Sequence, residues 1–145
     1  QVLESQYGLS DVIEMPRRAK LYVAGIGEVD RNSFIATAQM VDDEDTEAVI
    51  QSGACAEILG HFFKADGAHV PNAVSDRAMA PRIEDLQSHK IVALAGGTSK
   101  TQAVRAILAS GLLFGLITDE ATARRLANEK PGREPGKKNG KTATG

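Results

Sequence analysis

The sequence predicts a parallel α/β domain, and three features carry that expectation. Two strand-turn-helix units follow one another, Ile91 to Leu108 and Leu112 to Asn128, each with polar residues where its strand ends. The strands, Ile91 to Ala95 and Leu112 to Ile117, are continuous apolar runs with no polar alternation, the pattern of strands covered on both faces. A third short run, Leu21 to Ala24, ends in Gly25-Ile26-Gly27. Strands and helices in alternation place the strands side by side in one parallel sheet.

Composition sets the outer bounds. At 145 residues, with 42% hydrophobic and 25% charged residues, the chain fits one ordinary globular domain with room for a real core. No apolar run approaches a membrane span and no signal peptide is recognisable, so a cytoplasmic protein without membrane contact is expected. The single Cys55 cannot form an internal disulfide, in keeping with a reducing compartment, and is read as a packing residue and not a nucleophile. His61, His69 and His89 have no zinc-type spacing, so neither metal nor other cofactor is expected. The net charge of −2 conceals an asymmetry: from Lys130 onward there are five positive residues against Glu134, while the remainder carries 12 positive and 18 negative charges. An acidic body is a poor nucleic-acid surface. The chain begins with Gln1, as if cut from something longer.

In chain order, Leu9 to Met15 is expected to form a short helix limited by Pro16, and Arg17, Arg18 and Lys20 a solvated basic turn. Gly25-Ile26-Gly27 opens no dinucleotide fingerprint, because the third glycine position is Asp30 and Glu28 to Ser33 is too polar for an amphipathic helix. Asp42 to Ser52 reads as a surface helix, with Ala48 and Val49 on one side and Gly53 as its stop. Cys55 to Phe63 is less regular, and Ala65-Asp66-Gly67 suggests a hairpin turn. Glu57 stands between Ala56 and Ile58, so a strand there would set its carboxylate among apolar neighbours, unless it faces solvent at an edge. Pro81 to Ser88 leads by a turn or short helix into the central strand, Gly111 caps the following helix, and Asp119 to Asn128 forms the last one. From Lys130 the chain turns to Gly, Pro, Lys and Thr without apolar periodicity, a disordered basic tail at 130–145.

The stretch with most chemical content is Ala95-Gly96-Gly97-Thr98-Ser99-Lys100. Paired glycines leave no side chain between backbone and ligand, and N–H groups at the start of the next helix form an anion site. A lysine in a first helical turn is disfavoured by roughly 0.3–1 kcal/mol, so something negative nearby, such as a phosphate, would offset it. The plainer alternative is that Thr98 or Ser99 caps the helix and Lys100 points into water. Ligands of parallel sheets bind at the C-terminal strand ends, which here are Gly25, Gly96, Gly97, Lys100 and Asp119. Asp119 could equally serve only as a helix cap.

Four segments in order, G-I-G-E-V-D with Ser33, G-A-C-A-E-I-L-G-H-F-F-K-A-D-G, A-G-G-T-S-K-T-Q-A-V-R-A-I-L and L-I-T-D-E-A-T-A, resemble the C-terminal sugar-binding domain of SorC-type bacterial transcriptional regulators, often grouped with DeoR regulators. Within that family the chain is most similar to regulators of polyol catabolism of the erythritol type. The resemblance implies a three-layer, NagB-like and ribose-phosphate-isomerase-like α/β fold, of which this chain is the C-terminal half, spanning 1–129. It implies a non-enzymatic domain that binds a sugar, polyol or sugar-phosphate effector and forms a homo-oligomer. Operator DNA is then reached only through an N-terminal helix-turn-helix not visible in this sequence. The family's A-G-G-x-x-K-x-x-A element falls on Ala95, Gly96, Gly97, Lys100 and Ala103, its T-D pair on Thr118 and Asp119, and the acidic residue of its G-A-V-G-[D/E] element on Glu57. Ala56 departs from the usual glycine. The expected ligand-binding set is therefore Gly25, Gly27, Glu57, Gly96, Gly97, Lys100 and Asp119. The competing expectations are a sugar-phosphate isomerase-like enzyme, with Glu57 or Asp119 as base, and an oligomerisation fragment that binds nothing.

Overall fold

The computed structural model describes residues 15–16, 18–31 and 41–128. The described residues form two sheets. The first is parallel, with order β1-β6-β7, from β1 (Leu21–Gly25), β6 (Lys90–Leu94) and β7 (Gly115–Ile117). Its register pairs Val23 with Val92 and Leu94 with Ile117. The second is antiparallel, with order β2-β3-β4-β5, from β2 (Gly27–Glu28), β3 (Ala54–Ile58), β4 (His61–Lys64) and β5 (His69–Val70). Ile26 alone separates β1 from β2, so the chain passes from one sheet to the other within three residues.

Among the described residues from Asp43 onward the helices are α1 (Asp43–Gln51), α2 (Ala73–Arg77), α3 (Ile83–Gln87), α4 (Thr101–Ala109) and α5 (Glu120–Asn128), with a 3-10 turn over Thr98–Lys100 before α4. The apolar residues of α4 explain its place. Ala103, Val104, Ala106 and Ile107 are buried, a stripe wide enough to face more than one partner. They share one core with Tyr22, Ala24, Ile91 and Ala93 of the parallel sheet and with Ala56, Ile58 and Phe63 of the antiparallel one. Full burial of a residue such as Ile107 contributes about 1.5–3 kcal/mol, so this shared core binds the two sheets together. A smaller cluster, Val49, Ala54, Phe62 and Val70, ties α1 to the antiparallel sheet.

Several expectations change here. The apolar run of β6 leads one to expect cover on both faces, yet its sheet is buried on one side only: Tyr22, Ala24, Ile91 and Ala93 face the core, while Leu21, Val23 and Leu94 are exposed. The antiparallel sheet was not foreseen as a sheet, and the last strand has three residues instead of six, because Leu112 and Leu113 pack against the core before it begins. On α1, Val49 is buried and Ala48 is exposed, so the two do not share a side. Met15, Pro16 and Arg18 are helical, so the expected stop at Pro16 is not seen; the rest of that segment, Leu9 to residue 14, lies outside the described residues. So do Arg17, Ser33 and the basic tail. The stops were read correctly: Gly53 and Gly111 adopt φ values of +82° and +72° just beyond α1 and α4.

A candidate effector site at the junction of the two sheets

The passage from β1 to β2 builds the floor of the site. Gly27 pairs directly with Glu57 in the antiparallel ladder, and lacking a side chain it leaves room for the Glu57 carboxylate: a Cβ on Gly27 would lie 2.9 Å from Oε2. The other oxygen, Oε1, accepts the Gly60 N–H at 2.7 Å. Gly60 belongs to a two-residue hairpin between β3 and β4, where Leu59 and Gly60 both have positive φ, 53° and 79°. Burial pushes the Glu57 carboxyl above the ordinary carboxylate range, while the Gly60 N–H and the nearby His61 pull it part of the way back.

Lys100 reaches the same place from the opposite side. Its Nζ donates to the carbonyl of Ile26 at 3.3 Å, the residue where the chain changes sheets. The lysine therefore does not point into water. A cavity of about 440 Å³ opens here, lined by Gly25, Ile26, Gly27, Glu57, Leu59 and Lys100 together with Val23, Ala24 and Glu28. It is lined by one cationic residue, Lys100, and two acidic ones, Glu28 and Glu57, among apolar neighbours.

Gly96 and Asp119 line a shallower neighbouring recess with Leu94, Ala95, Ile117 and Thr118, at the C-terminal ends of β6 and β7. Asp119 is committed within the protein. Its Oδ1 accepts the Thr122 N–H at 2.9 Å, and its Oδ2 accepts the Thr122 hydroxyl at 2.7 Å and the Gly97 N–H at 2.8 Å. Those bonds hold its carboxyl down at about 2, so it stays ionised. Gly96 must be glycine for this clamp, because a Cβ there would meet Asp119 Oδ2 at 2.7 Å. The expectation of free N–H groups at the helix start needs correcting accordingly. The Gly97 N–H already holds an anion, the side chain of Asp119, which also caps α5. Neither Thr98 nor Ser99 caps α4; the Thr101 hydroxyl donates back to the Thr98 carbonyl at 2.7 Å. Arg125 of α5 donates to the same carbonyl at 3.3 Å and pins the turn from outside.

Of the seven expected residues, Gly25, Gly27, Glu57 and Lys100 come together around one cavity, Gly96 and Asp119 form its neighbour, and Gly97 joins the recess to α4 through its bond to Asp119. Sequence reasoning missed Leu59 and the Ile26 carbonyl. Nothing in the sequence marks Leu59, whereas the glycines flanking Ile26 could have signalled a backbone group exposed to contact. Cys55 is half-buried, and burial with Asp66 nearby raises its thiol, as befits a packing residue.

The erythritol catabolism regulatory protein EryD of Brucella abortus is 42% identical over 133 residues, which is 92% of this chain and 42% of that protein. A DeoR family transcriptional regulator from Listeria monocytogenes superposes with a TM-score of 0.75 at 22% identity, over 85% of this chain and 50% of that one. The full-length sorbitol operon regulator SorC of Klebsiella pneumoniae superposes with a TM-score of 0.69 at 18% identity, over 86% and 41%. The chain thus spans about two fifths of the length of the curated relative it matches. A family model of sugar-binding domains, Sugar-bind, matches residues 1–128, and the chain belongs to that family, the sugar-binding domain of SorC- and DeoR-type regulators.

Proposed function

We propose that this chain is the effector-sensing part of a transcriptional regulator of sugar or polyol catabolism, and that its ligand is a sugar, polyol or sugar phosphate held in the cavity between the two sheets. The observation that carries this reading is the convergence of Lys100 and the half-buried Glu57 on one cavity at the C-terminal end of the parallel strands. Glu57 accepts hydrogen bonds from ligand hydroxyls, and Lys100 supplies the positive charge for an anionic end. The glycines at 25 and 27 let the ligand approach the backbone. Asp119, Gly96 and Gly97 shape the rim, with Asp119 acting through the turn it clamps.

The relatives are transcriptional regulators, which supports binding over turnover. In a full-length regulator the ligand alters operator affinity only through a difference in its affinity for two states of a homo-oligomer, with DNA held by a separate helix-turn-helix module. Such a protein works in the cytoplasm, and no described helix is long and apolar enough to cross a membrane.

A thermal-melt series against sugars, polyols and their phosphates tests the reading. A true effector at a hundred times its dissociation constant adds about 2.7 kcal/mol of stability. The shift should disappear in Lys100→Ala and Glu57→Gln variants that melt like the parent. A shift that survives both substitutions, or turnover of a phosphosugar by the chain, would refute the assignment.

A further inference from the structure

A second cavity lies at the other end of α4. It has a volume of about 390 Å³ and opens where the β4–β5 turn, α3 and the C-terminal end of α4 meet, at the N-terminal end of the parallel strands. Its lining shares no residue with the cavity of Glu57 and Lys100. The volume falls within the range of small-molecule sites, about 300–1,000 Å³.

The walls are apolar and uncharged. Phe63, Ile83 and Leu112 line the cavity and belong to the main core or pack against it, and no Asp, Glu, Lys or Arg takes part. The His69 ring stands 5.4 Å from the Phe63 ring, centre to centre. Most polar groups of the lining are already engaged. The Ser110 hydroxyl donates to the Ile107 carbonyl at 2.6 Å and accepts the Leu112 N–H at 3.3 Å, while the N–H groups of Gly67 and Gly111 donate to the carbonyls of Lys64 and Leu108. His69 is different. The Pro81 carbonyl can only accept, so His61 Nε2 carries the hydrogen of its neutral ring, and His61 Nδ1 accepts from His69 Nε2. That leaves His69 Nδ1 as a lone pair with no partner among the described residues, and it is not sealed in the interior. The Gln87 amide also has no partner among them.

We propose that this cavity is a second ligand site, for a small uncharged aromatic molecule carrying one N–H or O–H donor. The donor meets His69 Nδ1, the apolar faces fill the space beside Phe63, Ile83 and Leu112, and the Gln87 amide serves a polar substituent. The lining disfavours other classes. A charged molecule would leave water for walls without a counter-charge, and a polyol would bury more hydroxyls than two free polar side chains satisfy. The site therefore differs in chemistry as well as in place from the one lined by Lys100, Glu28 and Glu57.

The probe is indole, and its control is benzofuran, which has the same bicyclic outline without the N–H. Each is titrated into the isotope-labelled chain and followed by the amide and imidazole resonances in NMR spectra. Indole should saturate with shifts centred on His69, Gln87 and Leu112, and benzofuran should bind about 10-fold more weakly, the worth of one buried hydrogen bond. His69→Phe keeps an aromatic ring and removes the acceptor, so it should abolish the preference for indole. The comparison of the two probes in the parent decides the matter even where His69→Phe does not fold. No effector enters the titration, so its result stands apart from the effector assignment. Absence of saturable shifts up to the solubility of indole would overturn the inference and leave the cavity a solvated crevice. Equal affinity for the two probes, shifts centred on Glu57 and Lys100, or a preference that survives in folded His69→Phe would overturn it as well.

Discussion

Gly67→Ala isolates the contact that seats the antiparallel sheet on α4, the helix that follows Lys100. Gly67 lies in the turn between β4 and β5 at φ +86°, and a Cβ built there would be 2.4 Å from the Ala109 carbonyl carbon and the Ser110 nitrogen, at the C-terminal end of α4. A side chain in the left-handed region costs roughly 1–2 kcal/mol. Relieving backbone contacts this short requires about 1 Å of movement, an overpacking cost of roughly 1–3 kcal/mol. The expected loss is therefore about 2–5 kcal/mol, which for a chain of 145 residues lowers Tm by at least about 4 °C. Gly53→Ala is the matched control: its φ is +82°, but an added Cβ meets nothing within 4 Å, so only the conformational cost of roughly 1–2 kcal/mol remains. Thermal and urea unfolding of both variants, with the denaturant slope unchanged, measures the difference. Equal losses in the two variants would refute the claim that the Gly67 turn is wedged against α4.

Three further outcomes are expected. His61 Nε2 donates to the Pro81 carbonyl at 2.8 Å, leaving Nδ1 to accept from His69 Nε2 at 3.3 Å; His69 is held below its ordinary value by burial and by His61, against the opposing pull of Glu84. Its contribution is complete above about pH 6.5 and is lost as pH falls through the lowered value, so urea midpoints should drop on that side and His69→Phe should flatten the drop. Gly27→Ala should leave Tm almost unchanged, because only the flexible end of Glu57 must move, yet weaken the effector response; Gly25→Ala, whose added Cβ meets no protein atom within 4 Å, should likewise spare Tm and weaken the response by crowding the cavity it lines. Because burial raises the Glu57 carboxyl and ligand hydroxyls favour its ionised form, effector affinity measured by calorimetric titration should fall as pH drops through that raised value.

The elements legible in the sequence are those whose signals are local. The apolar runs of β1 and β6, the alternation into α4 and α5, and the glycine stops at 53 and 111 each depend on neighbours a few residues away. The hairpin at Leu59-Gly60 was hidden because its first residue is a leucine at positive φ, where Asn or Gly is the recognisable sign. The bulge between Ala54 and Ala56 further masks the alternation of β3. Glu57 was identifiable as a carboxylate needing a partner, but not that its partner is the Gly60 N–H three residues on. The Asp119–Gly97 bond spans 22 residues and the Lys100–Ile26 bond 74, and no spacing rule predicts such pairings.

The two long-range bonds divide the rim by availability. Every Asp119 oxygen is engaged and its charge neutralises the N–H that a phosphate would otherwise take, so a ligand cannot use Gly97 without first displacing a strongly ionised side chain. Lys100 has spent one of its three donors on the Ile26 carbonyl, and Glu57 has spent one oxygen on Gly60. What remains in the cavity lining is a lysine with spare donors and a Glu57 carboxylate with spare acceptor capacity, with Glu28 as a second acidic residue. That pair suits a molecule rich in hydroxyls better than one whose recognition rests on a phosphate cradled by backbone amides. A phosphorylated ligand must then direct its phosphate to Lys100 and its hydroxyls to Glu57. In the proposed site the same requirement accounts for a glycine at 27, since an added Cβ would lie 2.9 Å from Glu57 Oε2 and displace the carboxylate.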